Sequence, residues 1–444
     1  MTSTPLGLLD RLMRAWRAPR TRAGNVAIIT CLIAVPLIFA AGMGVDYTLA
    51  NRRQDQINGF ADAAALAAVT PNMMSQSSTA AQAAAQSMFN SQLATVTNVS
   101  YSPSNVVIAV NDTPNGTSVN RVVSVHYTAA SNNAFGAVLG MAAIPIGGGS
   151  SATSYVAPRI DFYMLLDTSP SMAIAATQAG INTMVANTPS QSGCAFACHE
   201  TYPAADNLGN PGGEDNYALA RNLGVSLRID LVNQATSNLM SVAQTTAIQN
   251  HTGYRAAIYT IDYNFNTLIG ITSDFSAAQT AAGTLQAATV YDNNCLTASN
   301  CNHDEDSYLD DGLSNVNTLM PAPGNGTSNA GDTPQEVVFI VSDGVNDELL
   351  SGNRVMAPIN TRASWCDTIK TRGIRIAFLY LTYYPLPTNG FYNANIAPFQ
   401  NQIAADAQSC ASPGLFFEVS TGGDVNAAMQ ALFKKAVATA HLTQ

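Results

Sequence analysis

Two apolar runs, each closing on an aspartate, constrain this chain most. Phe162-Tyr163-Met164-Leu165-Leu166 leads into Asp167-Thr168-Ser169-Pro170-Ser171, and Val337-Val338-Phe339-Ile340-Val341 leads into Ser342-Asp343-Gly344. Short apolar runs bounded by turn residues read as strands buried on both faces, the habit of parallel sheets. Each such strand delivers its carboxylate to the carboxyl edge of the sheet, where open α/β folds bind ligands. Two carboxylates and two hydroxyls converging there are hard oxygen donors. They suit Mg²⁺ or Mn²⁺ better than zinc.

The rest of the chain from Pro158 supports a sheet of that kind. Strands are predicted at 160–166, 254–262, 336–342, 374–382 and 414–419. Helical stretches are predicted near 216–247, 306–320, 361–371, 394–407 and 424–440. Strand–helix alternation predicts an α/β fold, a doubly wound, mainly parallel sheet of Rossmann type with helices on both faces. Right-handed crossovers then bring the strands ending at Asp167 and Asp343 close enough to share one site. Polar insertions near 185–214 and 290–305 interrupt the alternation as long loops.

The first half of the chain has a different logic. Arg11, Arg14, Arg17, Arg20 and Arg22 against Asp10 give the first 22 residues a charge of +4, although the whole chain carries −10. The remaining body is therefore strongly acidic, which argues against nucleic acid as a partner. Residues 24–45 form an apolar stretch long enough to cross a bilayer. The preceding arginines predict a cytoplasmic segment at 1–23, with everything beyond the span outside. A cleaved signal peptide is the rival reading. The length of the run, and a helical pattern continuing through Tyr47-Thr48-Leu49-Ala50, favour a retained single-pass anchor in a bacterial inner membrane, its bulk periplasmic or at the cell surface.

Residues 46–157 read as a further unit. An Ala-rich helix continues out of the span to about residue 92, broken or kinked at Pro71. Strands at 106–110 and 122–127 flank the turn Asn111–Gly116. Gly147-Gly148-Gly149 reads as a flexible joint or tight turn. Residues 158–444 then make the second domain. Cys31 lies in the span, and the other six cysteines fall in the exported part, where disulfides form. Six allow 15 connectivities; the short loops predict Cys194–Cys198, Cys295–Cys301 and Cys366–Cys410.

The Asp-x-Ser-x-Ser motif followed by a strand-end Asp-Gly resembles the metal-ion-dependent adhesion site of von Willebrand factor A domains. Arg22-Ala23-Gly24-Asn25-Val26-Ala27-Ile28-Ile29, the Gly42-Met43-Gly44-Val45-Asp46-Tyr47 exit and Ala61-Asp62-Ala63-Ala64-Ala65-Leu66-Ala67 resemble the start of tight-adherence (Tad/Flp) pilus proteins. In this order the two resemble TadG-like proteins, as do the aromatic segment Tyr383–Tyr392 and Cys194-Ala195-Phe196-Ala197-Cys198-His199. The resemblance implies a pilin-like anchor joined to an A domain that serves pilus assembly, adherence or envelope anchoring. It implies that Ser169 and Ser171 touch Mg²⁺ or Mn²⁺ directly while Asp167 and Asp343 hold it through water. An open position would then accept a carboxylate from a protein partner, a pilus-assembly component or an envelope protein.

Two departures stand out. The family's third loop supplies a Thr, and no Gly-Thr stands at that place here. Ser307, Asp304 and Asp306 are the alternatives, with Ser307 favoured because a hydroxyl at a helix start can cap it and face the strand ends. Prepilins carry Glu five residues after the cleavage Gly, whereas Ile29 follows Gly24 here, so an uncleaved anchor is expected.

Other chemistry is thinly represented. Cys194–His199 is one residue longer than a c-type haem attachment, and a small disulfide loop is the simpler reading. None of the five histidines sits in a His-Glu-x-x-His helix or nucleophile elbow. The expected function is therefore non-catalytic: assembly or anchoring of a Tad/Flp pilus. An adhesin acting directly on an external ligand is the first alternative and a periplasmic haem or redox protein the second.

Overall fold

The computed structural model describes residues 22–115, 118–196, 199–200, 213–290, 307–387, 389–420 and 422–438. They divide into two compact units. One holds the residues up to Thr70 with Ala81–Val110 and Val123–Ala152; the other holds Pro71–Ala80, Asn111–Val122 and the chain from Thr153 onward.

The described residues begin with a helix, α1 (Arg22–Ala67), that runs unbroken through the apolar segment with Pro36 inside it. It is long and apolar enough to cross a membrane. The side chains of its apolar segment are largely exposed, Leu32 at 70%, whereas Ile57 and Ala61 further along are buried. A proline inside such a helix is tolerated in lipid, where local adjustment re-satisfies the freed carbonyl. Pro71 ends the helical run as expected. It opens α2 (Pro71–Met74), where its fixed φ suits a first helical position; α3 (Ser78–Leu93) follows.

Four strands complete this half of the chain: β1 (Val99–Ser100), β2 (Val106–Asn115), β3 (Ser118–Asn132) and β4 (Ala143–Val156). β3 is central and pairs with the other three. The chain stays extended through Asn115 where a turn was expected from Asn111. A larger departure is Gly147-Gly148-Gly149, which is neither joint nor turn but lies inside β4. The glycines let β4 run hard against α1. A Cβ on Gly148 would stand 2.1 Å from Asn58 Oδ1, and Gln54 Nε2 donates to the Gly147 carbonyl at 2.8 Å. Asp46, at the helix exit, accepts from the backbone N–H groups of Ala134, Phe135 and Gly136 at 2.7–2.9 Å.

The second unit is built on β5 (Ile160–Asp167), β6 (Tyr254–Ile261), β7 (Phe265–Thr272), β8 (Gln335–Ser342), β11 (Arg375–Leu381) and β12 (Phe416–Val419), in the order β12-β11-β8-β5-β6-β7. All neighbours are parallel except β6 and β7. The expected doubly wound α/β sheet is therefore present, with an antiparallel edge strand that the sequence did not suggest. A two-stranded ribbon, β9 (Val345–Leu350) with β10 (Asn353–Pro358), was equally unforeseen.

Helices cover the sheet. α6 (Arg228–Gln249) packs against α7 (Phe275–Ala282) and α12 (Val425–Ala438), while α8 (Leu309–Leu319) packs against α9 (Trp365–Thr371). Shorter elements are α4 (Gln178–Asn187), α5 (Asn216–Asn222), α10 (Gly390–Asn395) and α11 (Gln400–Cys410). Every residue of β5 is buried, and Leu165, Leu166, Phe339 and Ile340 are fully so. Each such side chain contributes roughly 1.5–3 kcal/mol, so the strands that carry the candidate site are anchored by the best-packed part of the fold.

The expected Cys366–Cys410 disulfide is present and ties α9 to α11 across 44 residues, worth about 4 kcal/mol if it acts through loop entropy. The other two expected pairs involve Cys198, Cys295 and Cys301, which lie outside the described residues, as do Asp304 and Asp306.

Candidate metal centre at the strand ends

From β5 the chain proceeds to β6 and β7 on one side, then crosses to β8, β11 and β12 on the other. The order reverses between β5 and β8, the switch point at which open α/β sheets leave a crevice. Leu166 pairs with Val341 in the parallel ladder, so Asp167 and the Ser342-Asp343 pair emerge side by side. The sheet thus brings together the two aspartates that the sequence singled out.

The loop after β5 is tightly held. Asp167 Oδ1 accepts from the Ser169 N–H at 2.9 Å, and Pro170 starts a 3₁₀ turn, Pro170–Ala173. The proline fixes φ at the turn's first position. The hydroxyls of Ser169 and Ser171 stand 3.0 Å apart. Asp167 Oδ2 accepts from Ser342 Oγ at 2.6 Å, and Ser342 Oγ in turn accepts from the Gly344 N–H at 2.9 Å. Gly344 has φ +75°, a backbone shape that side chains resist.

Asp343 is differently placed. Its Oδ1 accepts from the Val345 N–H at 3.3 Å. Its Oδ2 is buried without any hydrogen-bond partner, and Arg228 Nη1 lies 3.8 Å away. Burial raises the proton affinity of both aspartates. The Asp343 charge adds to the effect at Asp167, while the Arg228 guanidinium offsets part of it at Asp343. Two buried carboxylates side by side, one with an unsatisfied oxygen, form a site short of positive charge. Hydroxyls close by make the donor set all oxygen, which fits Mg²⁺ or Mn²⁺. Among the described residues no group of three or more His, Cys, Asp or Glu could hold a metal, so any ion here relies on hydroxyls and water beside two carboxylates.

Ser307 does not cap the helix it was expected to start. α8 starts two residues later, and Tyr308 occupies its cap position. The Ser307 hydroxyl instead donates to the Val345 carbonyl at 2.8 Å. Its backbone bridges Asp347 in both directions, 3.1 and 3.0 Å. Asn346 Oδ1 serves the helix start, accepting from the Asp310 N–H at 2.9 Å. Ser307 is therefore stitched to the chain just after Asp343, and it caps nothing.

Three residues of this edge were missed. Ser342 binds Asp167, and its signal was only adjacency to Asp343. Asp262 directly follows β6 and accepts from Thr168 Oγ1 at 3.1 Å. Arg228 arrives from the start of α6, and no local pattern marked it. In the aromatic segment that resembles TadG-like proteins, the described Tyr383 and Tyr392 are buried. Their ring centroids are 6.3 Å apart, and Tyr383 stands behind Arg228 at 5.7 Å. His199, the candidate haem ligand, has Nδ1 2.8 Å from Asp215 Oδ2 and stacks on Tyr217 at 4.3 Å.

Residues 24–87 match the Tad family model, described as Flp pilus-assembly TadE/G-like. The similarity to that family is confined to this N-terminal stretch. The match bears out the resemblance read from the Gly24, Gly42–Tyr47 and Ala61–Ala67 segments. No curated protein matches the chain. Among solved structures, the chain is similar to BatB from Bacteroides thetaiotaomicron (12% identity, 64% of this chain and 100% of that one, TM-score 0.34). It is also similar to the vWF domain of the type V pili tip protein Mfa5 from Porphyromonas gingivalis (10%, 65% and 98%, TM-score 0.37). A third is proximal thread matrix protein 1 from the mussel byssus with a zinc-occupied MIDAS motif (12%, 63% and 46%, TM-score 0.32). Similarities this distant say nothing of function.

Proposed function

We propose that this protein is a non-catalytic, single-pass envelope protein that assembles or anchors a Tad/Flp pilus, and that it grips a protein partner through a divalent cation held at the ends of β5 and β8. The observation that carries the metal reading is the buried Asp167–Asp343 pair, with Asp343 Oδ2 lacking any hydrogen-bond partner. The TadE/G-like match over residues 24–87 supports the pilus context. The arginines before the span favour an inner-membrane anchor with the second unit outside.

In this reading Ser169 and Ser171 would hold Mg²⁺ or Mn²⁺ directly, and Asp167 and Asp343 through water. Ser307 would add a third hydroxyl. Its proton goes to the Val345 carbonyl, which leaves the oxygen lone pairs available. The ion would supply a point of positive charge able to accept a carboxylate from a partner. This chain's own work is to hold the donors still: Ser342 fixes the Asp167 carboxylate, and the 3₁₀ turn at Pro170 fixes the serines.

The test is complementation of a deletion strain with wild type or Asp343→Ala, reading fibres by electron microscopy and surface attachment. Loss of fibres with the variant, at normal protein level, is the expected result. Intact fibres with lost attachment would favour an adhesin acting directly on its ligand. Intact fibres and attachment would remove the site from the function.

A further inference from the structure

Arg228 and Asp343 face each other in an unusual way. The two side chains are 7% and 1% exposed, and Arg228 Nη1 stands 3.8 Å from Asp343 Oδ2. That is too long for a hydrogen bond, and both atoms are buried with no hydrogen-bond partner at all. A buried cation and a buried anion held just out of contact are costly, because Nη1 and Oδ2 have each lost water without a hydrogen bond to replace it.

The guanidinium cannot relax easily towards the carboxylate. The Arg228 backbone N–H donates to the Ile174 carbonyl at 3.0 Å, which ties the start of α6 to the end of the Pro170–Ala173 turn. Its Nη2 donates to the Thr382 carbonyl at 2.6 Å, and its Cζ lies 5.7 Å from the Tyr383 ring centroid. Arg228 is thus braced on the loop after β5 and on the loop after β11. One Nη1 is left over, directed at the carboxylate the metal reading needs.

We propose that Arg228 is a built-in competitor of the cation: a positioning residue whose fixed charge balances Asp343 in the metal-free site and weakens divalent-ion binding there. The inference rests on the metal reading above and adds to it a residue that sets the affinity. The cation must therefore displace the electrostatic claim of Arg228 on Asp343, and a site of this kind fills at a higher ion concentration than its donors alone would require.

The test is Mn²⁺ titration by calorimetry on the full-length chain in detergent, wild type beside Arg228→Gln. Removing a unit charge a few ångströms from a divalent ion should tighten binding roughly tenfold to hundredfold. Equal affinity in the two proteins overturns the role of Arg228 and leaves the metal reading standing. No binding in either protein overturns the metal reading and the competition with it. A second measurement guards against misfolding of the variant. Thermal unfolding of metal-free wild type, Arg228→Gln, Asp343→Asn and the double variant forms a cycle. Strong non-additivity, with the double variant less damaged than the sum of the singles, supports the charge pairing. Additive losses overturn it.

Discussion

The two ends of β5 and β8 pose the same problem and answer it differently. At the amino end Asp161 lies opposite Glu336 and beside Arg255 in the ladder; at the carboxyl end Asp167 and Asp343 stand together. All four carboxylates are buried. Asp161 is neutralised by direct hydrogen bonds from Arg255, one of them at 2.8 Å from Nε. Glu336 has neither oxygen hydrogen-bonded, and its proton affinity is pushed up to about 8 by burial and then by the Asp161 charge. That end holds one ion pair and one carboxyl group with no hydrogen-bond partner. At the other end hydroxyls converge on the carboxylates, and the nearby arginine is held off at 3.8 Å. Paired acids on adjacent strands thus occur at both ends, and what differs is the groups that flank them.

Changes at the amino end should alter stability and leave cation binding alone. The largest effect concerns Glu336. Its carboxyl titrates near 4.5 in the unfolded chain and near 8 when folded. Between those values the folded state keeps a proton that the unfolded state has lost. Stability is thus full below about 4.5, falls as pH rises and levels off above about 8, with a total loss on the order of 5 kcal/mol. Glu336→Gln should flatten this slope in denaturant melts across pH. An unchanged slope would show that Glu336 is ionised and the two ends are more alike than they look.

Arg255→Gln comes next. It strands Asp161, which is 1% exposed, but Arg255 itself is 43% exposed. The expected loss is about 2 kcal/mol at neutral pH, below that of a fully buried pair, with Mn²⁺ affinity unchanged by calorimetry. At the carboxyl end, Ser342→Ala removes the donor that orients Asp167 and should weaken Mn²⁺ binding by roughly 10–100-fold. Ser307→Ala should have the smallest effect. The lost bond to Val345 costs about 1 kcal/mol in thermal unfolding, and ion affinity should fall by less than about tenfold.

The strands bearing this site were legible because parallel, doubly covered strands must be continuously apolar. Residues 160–166 and 336–342 were read within one position of β5 and β8 for that reason. β7 escaped because Phe265–Thr272 is an edge strand, exposed along much of its length. β9 and β10 escaped because Asn346, Asp347, Glu348 and Arg354 make a polar ribbon held by side-chain pairing such as Arg354 with Asp347. Gly147–Gly149 looked like a joint because glycine's use in close packing is invisible until the opposing helix is placed. Arg228 is the hardest case. It reaches Asp343 only through the crossover from β5 to α6, and no spacing in the chain announces that meeting.

The most direct test of the account is a Mg²⁺ and Mn²⁺ titration of the full-length protein in three forms: wild type, Asp167→Ala and Asp161→Ala. Saturable binding is expected in wild type, with its loss in Asp167→Ala and its retention in Asp161→Ala, all three being folded by circular dichroism. Binding that survives Asp167→Ala, or that disappears equally in both variants, would contradict a metal site at the carboxyl ends of β5 and β8.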